Sequence, residues 1–245
     1  MSKNTMHLHK EAWIEELAIK IFNEIEVLTK DKVGVSRESY GKGETISINY
    51  MIDVAKEFGF YIEKDAAANV YLSLEQSIKN NHILIGSHID SVPQGGNFDG
   101  LAGVIAGFLI LVYLKEKKVK TSLPIKLLVL RGEESAWYGK NCIGSKALFG
   151  LISKEDLNST HRSNGKKLSK AMTESGVKLD QIRKCKTLTN KNQIEAFIEI
   201  HIEQGPILVD KNWPIADVTG IRGNYSHHKI RCKGTAGHSG TITRY

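Results

Sequence analysis

Four separated segments of the chain each carry an imidazole or a carboxylate at the end of an apolar run. They are residues 86–90 (GSHID), 97–100 (NFDG), 132–135 (GEES) and 199–205 (EIHIEQG). Imidazole nitrogens and carboxylate oxygens are the groups with which proteins bind zinc and related divalent cations. Two such ions held side by side polarise a carbonyl group and activate water for its hydrolysis. These residue types therefore predict a two-metal hydrolytic site.

Predicted strands lead into most of these segments. Nearly continuous apolar runs, typical of strands buried in a parallel sheet, occur at residues 82–86, 124–130 and 196–200. Each run ends shortly before a segment with ligand-type side chains. In open α/β sheets, ligands bind beyond the carboxyl ends of the strands. We therefore expect three strand ends to bring these side chains to one edge of one sheet.

Helical patterns alternate with the strands. They cover residues 10–29, 45–58 and 101–117, and the last of these is strongly apolar. The alternation predicts the α/β class, with an open, mostly parallel sheet and helices on both faces. The polar stretch 154–189 favours helices, and we expect it on the surface.

The pattern changes near Pro214, where strand and turn signals replace the α/β alternation. We predict a metal-binding catalytic domain over residues 1–214 and the beginning of a smaller α+β domain over residues 215–245. The chain stops at Tyr245, soon after the segment 237–240, and no closing strand is evident. The sequence is therefore expected to be C-terminally truncated, with both domains incomplete.

The first candidate ligand, His88, is followed two positions later by Asp90. A neighbouring carboxylate can hold an imidazole ring in orientation and raise its basicity, so Asp90 is predicted to support His88 from behind. Asp99 precedes the apolar helix, where an aspartate is also a good N-cap. We predict that Asp99 bridges two cations through its two oxygens, a role that is compatible with capping.

The Glu133–Glu134 pair follows a predicted strand directly. Adjacent side chains on an extended or turning backbone point in different directions, so one carboxylate can ligate a metal while the other faces water. We predict Glu133 as the general base and Glu134 as the ligand. The alternative is a solvated acidic pair, which is the common role of such a dipeptide. His201 is predicted to supply a second imidazole.

Two further residues are predicted to meet the substrate. Gln204 is placed to hydrogen-bond a polar substrate group, although a lone glutamine is more commonly a surface amide or a cap. His238 lies between glycines that keep the backbone open to close approach. It is a candidate to stabilise an oxyanion, and a structural role in a turn competes with that interpretation.

Composition narrows the class of protein. The 41% hydrophobic and 25% charged residues are ordinary for a globular chain. The net charge of +7 comes from scattered lysines, and the cluster at 115–120 fits the polar end of a helix, so we predict no nucleic-acid partner. The three cysteines lack a CxxC pairing and are predicted to be free, at least partly buried thiols. Because neither a signal peptide nor a membrane span is evident, we predict a cytoplasmic protein without a membrane partner.

The motifs resemble the zinc-dependent amidohydrolases of the hydantoinase/carbamoylase type. That family includes allantoate amidohydrolase, N-carbamoyl-L-amino-acid hydrolase and β-ureidopropionase, and it is related to the aminoacylase and carboxypeptidase metallopeptidases. The resemblance begins near residues 34–37 and continues through 65–70 to the end of the chain. Its most specific strings are GSHIDSVPQGGNFDG (86–100), EES (133–135) with GSKAL (144–148), EIHIEQGPIL (199–208) and GTAGHSGT (234–241).

The resemblance implies a zinc-exopeptidase-like fold with a lid or dimerisation domain that begins in residues 215–245. It implies that His88, Asp99 and His201 hold one metal ion and that Asp99 and Glu134 hold the other. Glu133 would be the base, and Gln204 and His238 would meet the substrate. A homodimer of the full-length protein is also implied.

The chain departs from the family pattern in two ways. Ser135, Ala136 and Trp137 stand where the family more often has Gly or Ser leading to Arg-Phe, so the shape of the pocket is expected to differ. The family's last metal-binding histidine, and the lid residues that hold a substrate carboxylate, have no counterpart before Tyr245.

The leading hypothesis is a dizinc amidohydrolase that cleaves the C–N bond of N-carbamoyl or ureido derivatives of small amino-acid-like anions, such as an N-carbamoyl-L-amino acid or allantoate. Two divalent ions are expected, with zinc favoured and manganese, cobalt or nickel as alternatives. A peptidase or deacylase of the same superfamily is the nearest alternative. A non-catalytic, truncated remnant is an alternative from a different class.

Overall fold

The computed structural model describes residues 11–76, 80–220 and 231. The chain divides into two compact units, Met1–Ile202 and Glu203–Tyr245. The predicted domain boundary between residues 214 and 215 stays a prediction.

The first unit contains five strands and seven α-helices among its described residues. The strands are β1 (Tyr61–Lys64), β2 (Val70–Ser73), β3 (His82–His88), β4 (Ile125–Leu130) and β5 (Ile194–Ile198). The helices are α1 (Ala12–Thr29), α2 (Lys42–Glu57), α3 (Leu101–Glu116), α4 (Ile143–Leu148), α5 (Lys154–Asn158), α6 (Leu168–Glu174) and α7 (Leu179–Ile182). A 3₁₀ turn, Lys191–Gln193, precedes β5.

The strands form one sheet in the order β1-β2-β4-β3-β5. β3 is parallel to both β4 and β5, whereas β1 pairs antiparallel with β2 and β2 pairs antiparallel with β4. In the central register His88 lies opposite Leu130, so β3 and β4 end at the same edge. The α/β class is confirmed. The parallel half of the sheet carries the candidate site, and the β1–β2 hairpin extends the sheet on the far side.

Alternating side chains of the central strands bury both faces of the sheet. Ile85 and Leu127 point into the large core that the sheet forms with α1, α2 and α3. Their neighbours Leu84 and Leu128 pack on the opposite face against Leu148 of α4. Because successive side chains of a strand point to opposite faces, nearly continuous apolar runs are what a sheet covered on both sides requires.

The helix α3 packs directly on the sheet. It contacts β3 and β4, and its Phe108 is fully buried in edge-on contact with Phe58 and Phe60. At Gly107 an added Cβ would lie 2.8 Å from a methyl carbon of Leu127, so the helix approaches the sheet closely. None of the helices among the described residues is both long and apolar enough to span a bilayer.

The stretch 154–189 is more deeply packed than the prediction of a surface segment allows. Apolar side chains of α5, α6, α7 and the intervening turns form a second buried cluster with the segments around Tyr40, Ala67 and Ile143. Leu168, Ala171 and Met172 lie on one face of α6 at helical spacing. In these short helices the few buried apolar residues stand among many exposed polar ones. The composition of the stretch therefore indicates a surface segment although its apolar side chains are buried.

In the second unit the described residues form one short helix, α8 (Ile207–Lys211). The Glu203 carboxylate accepts a hydrogen bond from the backbone N–H of Leu208 at 2.8 Å. That contact satisfies a free N–H in the first turn of the helix, as side chains before helices commonly do.

Candidate metal centre

His88, the last residue of β3, lies at the centre of the candidate site and is only 3% exposed. The chain passes directly over its ring where α3 begins. At Gly100 an added Cβ would lie 2.4 Å from the imidazole, and the backbone there has φ +64°, which favours glycine. Gly100 is also the N-cap of α3, without a side-chain cap hydrogen bond. The N-cap role considered for Asp99 is therefore wrong.

The first potential metal-binding group consists of His88, Asp99 and His201. Their ligand atoms all lie within 4.8 Å of one another. The Oδ1 atom of Asp99 lies 3.2 Å from Nε2 of His201 and 3.8 Å from Nε2 of His88. The His201 side chain is 48% exposed and that of Asp99 is 19% exposed, so this side of the group faces solvent.

The hydrogen bonds of both histidines leave Nε2 as the available ligand atom. His88 Nδ1 lies 3.1 Å from the carbonyl oxygen of Asp90, and His201 Nδ1 lies 2.8 Å from that of Ile202. Because a carbonyl oxygen only accepts, Nδ1 carries the proton in each ring. Such bonds to Nδ1 are the usual support of a metal-binding imidazole.

The second group consists of His88, Glu133 and Glu134, again with one ligand atom each within 4.8 Å. It shares His88 with the first group, so the two groups are adjacent. Burial raises the pKa of Glu134 to about 7, against the opposing effect of His88. A cation bound near a carboxyl group with a raised pKa would stabilise the ionised form of that group.

Asp90 lies beneath both groups and is fully buried. Its carboxylate accepts hydrogen bonds from the Ser39 hydroxyl at 2.6 Å and from the backbone N–H groups of Glu133 and Glu134, each at 3.0 Å. Its Oδ1 also lies 3.3 Å from Nδ1 of His88. Burial alone would raise the pKa of Asp90, but these donors hold it below the ordinary value. One carboxylate thus orients the imidazole and the backbone of the glutamate pair together.

The pKa of His88 reflects the same contact. Burial lowers this pKa, but the hydrogen bond and the charge of Asp90, with further carboxylates nearby, raise it to about 9. In the metal-free protein the ring is therefore protonated at neutral pH. A divalent cation at Nε2 has to displace that proton, so binding releases it.

Sequence reasoning missed several residues that shape the site. Cys142, which has a left-handed backbone (φ +53°), places its Sγ 3.3 Å from Oε1 of Glu133, and its N–H donates to the Glu133 carbonyl at 2.9 Å. Burial raises the pKa of the Cys142 thiol to about 11, so it is a donor to the carboxylate. Ser87 similarly donates to the carboxylate of Glu199. Neither contact follows from residue spacing, because both join separate segments.

The two predicted substrate-binding residues stay predictions. Gln204 is exposed and belongs to the second unit. His238 lies outside the described residues. Of the thiols, Cys142 is half-buried and Cys185 is exposed, which corrects the expectation of burial for Cys185, and Cys232 lies outside the described residues.

Known proteins resemble this chain over most of its length. Residues 84–233 match the model of peptidase family M20/M25/M40. The N-carbamoyl-L-amino-acid amidohydrolase of Pseudomonas sp. (strain NS671) is 33% identical over 215 residues, 87% of this chain and 51% of that protein. The corresponding enzyme of Geobacillus stearothermophilus is 34% identical over 208 residues, 84% of this chain and 50% of that protein. The chain thus spans about half the length of the curated relatives it matches.

Solved structures show the same fold. The hydantoinase/carbamoylase family amidase of Burkholderia ambifaria superposes with a TM-score of 0.70 at 23% identity, over 80% of this chain and 47% of that chain. The relatives confirm the resemblance to amidohydrolases of the hydantoinase/carbamoylase type. From the matched family model and the identity to these relatives, we conclude that the chain belongs to peptidase family M20/M25/M40.

Proposed function

We propose that this protein is a metal-dependent hydrolase that cleaves the C–N bond of N-carbamoyl or ureido compounds derived from small amino acids. The observation that carries the proposal is the group of His88, Asp99 and His201 at the carboxyl edge of the sheet, with Glu133 and Glu134 close to the same His88. The names of the relatives support the substrate class, since they include N-carbamoyl-L-amino-acid amidohydrolases and the allantoate amidohydrolase of Escherichia coli, 32% identical over 159 residues.

We propose that two divalent ions bind to this set of donors. Imidazole nitrogen with carboxylate oxygen suits zinc best, and also manganese, cobalt and nickel. In our proposal His88, Asp99 and His201 hold one ion, while Asp99 and Glu134 hold the other. When bound, such ions polarise a carbonyl group and lower the pKa of water.

The chain's own residues supply orientation and proton transfer. Glu133 acts as the general base, and its carboxylate is held by the Cys142 thiol at 3.3 Å. Its backbone is held by Asp90 at 3.0 Å, so the carboxylate is fixed from both ends. The exposed side of His201 and Asp99 leaves room for a substrate to approach. We assign substrate binding to Gln204 and His238.

A substitution at Glu133 tests the proposal directly. Glu133→Gln keeps the shape of the side chain and removes its capacity to accept a proton, so hydrolysis of N-carbamoyl amino acids should fall by about 10²- to 10⁴-fold. Bound metal, measured by elemental analysis, should be retained. The matched control is Glu155→Gln, because the Glu155 side chain is 88% exposed. Unchanged hydrolysis in Glu133→Gln would exclude the proposed role.

The peptidase or deacylase alternative is favoured by the description of the matched family, which names peptidases. Parallel assays on N-carbamoyl amino acids, N-acyl amino acids and dipeptides distinguish these activities. Hydrolysis of the first class alone supports our proposal, and faster hydrolysis of either other class contradicts it. A chain that binds no divalent metal would support the non-catalytic remnant instead. A cytoplasmic homodimer, formed through the domain that begins in residues 215–245, completes the proposal.

A further inference from the structure

Arg37 is a fully buried arginine that lies outside the predicted site. Burying a guanidinium group is costly unless its donors are satisfied, so its partners indicate what it does for the fold. Nε donates to the Ile89 carbonyl at 2.6 Å. Nη1 donates to Oδ1 of Asn97 at 2.9 Å, and Nη2 donates to the Asn97 carbonyl at 3.1 Å. All three acceptors are neutral oxygens.

These acceptors lie on the segment that joins two candidate metal ligands. Residues 89–98 connect His88 to Asp99, and Arg37 holds this connection at Ile89 and at Asn97, next to either end. The Arg37 backbone holds it at a third point, because its N–H and C=O exchange hydrogen bonds of 3.0 Å with the hydroxyl and N–H of Ser91.

The same contacts connect the site to the helical layer. The Asn97 side chain donates to the carbonyl of Phe22 in α1 at 3.1 Å. Two residues after Arg37, Ser39 donates to the Asp90 carboxylate at 2.6 Å. The short segment that carries Arg37 and Ser39 therefore braces both the loop to Asp99 and the carboxylate behind His88.

The charge of Arg37 acts on the same groups. The carboxylates of Asp90, Asp99 and Glu134 all interact with its guanidinium. Burial lowers the pKa of Arg37 to about 10, and these three carboxylates oppose that change, so the group stays charged at neutral pH. Its fixed positive charge offsets part of the mutual repulsion of the carboxylates when no cation is present.

We propose that Arg37 is a positioning residue: its three-donor fork fixes the separation of His88 and Asp99, so that their ligand atoms are in place before a metal ion binds. This inference rests on the metal site proposed above. Arg37 is fully buried and acts through these contacts, not as a metal ligand. Lysine keeps the charge but lacks the planar fork, so it cannot reach Ile89 and both oxygens of Asn97 together.

The test is a Co²⁺ titration of the chain, followed by calorimetry and by the visible absorption that reports coordination geometry. We expect Arg37→Lys to lower the Co²⁺ affinity at least tenfold and to alter the spectrum at saturation. The control is Arg183→Lys, an exposed arginine, which should bind as the wild type does. A general loss of stability does not change the spectrum of the saturated site, so the spectrum separates positioning from a merely structural role.

A second variant covers the case in which Arg37→Lys does not fold. Asn97→Ala removes one acceptor of the fork, and we expect the same direction of change in affinity and spectrum. Where both variants fold, the double variant should lose little more affinity than the weaker-binding single variant, because both act through one contact.

Folded Arg37→Lys or Asn97→Ala with wild-type affinity and spectrum would overturn the proposal for Arg37 alone. A wild-type chain that binds no Co²⁺ would overturn both this inference and the proposed function.

Discussion

The Asp90 carboxylate lies 3.3 Å from Nδ1 of His88 and also accepts hydrogen bonds from the backbone N–H groups of Glu133 and Glu134. A single buried group therefore sets the orientation of an imidazole at the end of β3 and of two carboxylates after β4. Those strands are adjacent and parallel, and their last paired residues are His88 and Leu130. The parallel pairing brings the segments together, and Asp90 determines how they face each other.

Replacing Asp90 by asparagine should weaken metal binding by about 10- to 100-fold, the usual loss when the partner of a ligating histidine is removed. An asparagine offers one acceptor oxygen where the carboxylate offered two, so its NH₂ group would face a donor from Ser39 or the glutamate backbone. Calorimetric titration with Zn²⁺ measures the loss. Asp53→Asn is the control, because Asp53 is an exposed residue that pairs with the exposed Lys56 on its own helix.

The stability of the metal-free protein should fall as the pH rises from about 6.5 to about 9. Asp90 raises the pKa of His88 to about 9, so the folded chain keeps a proton that the unfolded chain has released. This stabilisation is fully present below the pKa of His88 in the unfolded chain. It is lost as the pH rises through the pKa of His88 in the folded chain, and the total loss is about 3 kcal/mol at most. Urea unfolding in EDTA across this range measures it. His88→Gln lacks the proton, and an equally steep decline in that variant would contradict the assignment.

Gly100→Ala should disturb the imidazole of His88 specifically. The new methyl group would lie 2.4 Å from the ring, at a backbone with φ +64°. Gly165→Ala is a matched control, since Gly165 has φ +68° and, chain neighbours aside, no atom of the described residues lies within 4 Å of the added methyl. Both variants share a backbone cost of about 1 kcal/mol, so the further loss in Gly100→Ala measures the contact. We expect Zn²⁺ affinity to fall in Gly100→Ala and to stay unchanged in Gly165→Ala. Equal losses of unfolding free energy in the two variants would show that the His88 ring moves aside at no cost.

Met172→Ala should lower the free energy of unfolding by about 2–4 kcal/mol. Met172 is fully buried in the cluster that the stretch 154–189 forms with the segments around Tyr40, Ala67 and Ile143. Leu151→Ala is the control, since that side chain is 69% exposed. Chemical unfolding of both variants gives the comparison. A loss below about 0.5 kcal/mol, the range of ordinary surface substitutions, would mean that this stretch is not part of the cooperative core.

Patterns local to the sequence predicted the elements better than their connections. The apolar runs of β3 and β4 and the apolar helix α3 were predicted within a few residues of their observed bounds, because burial on both sheet faces leaves a strong signal. The same patterns cannot show that β2 pairs antiparallel with β4, since pairing partners are chosen by tertiary packing. The strand before His201 is predicted at residues 196–200, whereas β5 spans Ile194–Ile198. β5 ends at Ile198, where its pairing with β3 stops.

The candidate ligands could be found from sequence because imidazoles and carboxylates at strand ends are conspicuous. The residues that hold these ligands in place could not be found in this way. Arg37 and Ser39 lie in an irregular segment without periodicity, and their partners are more than fifty positions away. Cys142 is likewise brought to Glu133 by a turn that no spacing rule describes. Hydrogen bonds between distant irregular segments depend on the finished fold, so these contacts appear only in the structure.

Zn²⁺ should stabilise the chain, and His201 should contribute to that stabilisation without contributing much to folding. A ligand that binds only the folded state at one hundred times its dissociation constant adds about 2.7 kcal/mol. Because the His201 side chain is 48% exposed, His201→Ala should cost little stability in EDTA. In Zn²⁺ the variant should gain clearly less than the wild type, as measured by thermal unfolding. Mg²⁺, which prefers oxygen ligands, serves as the control ion for both proteins. An equal Zn²⁺ gain in variant and wild type would place the bound ion away from His201, and an equal gain with Mg²⁺ would point to carboxylates alone as the binding groups.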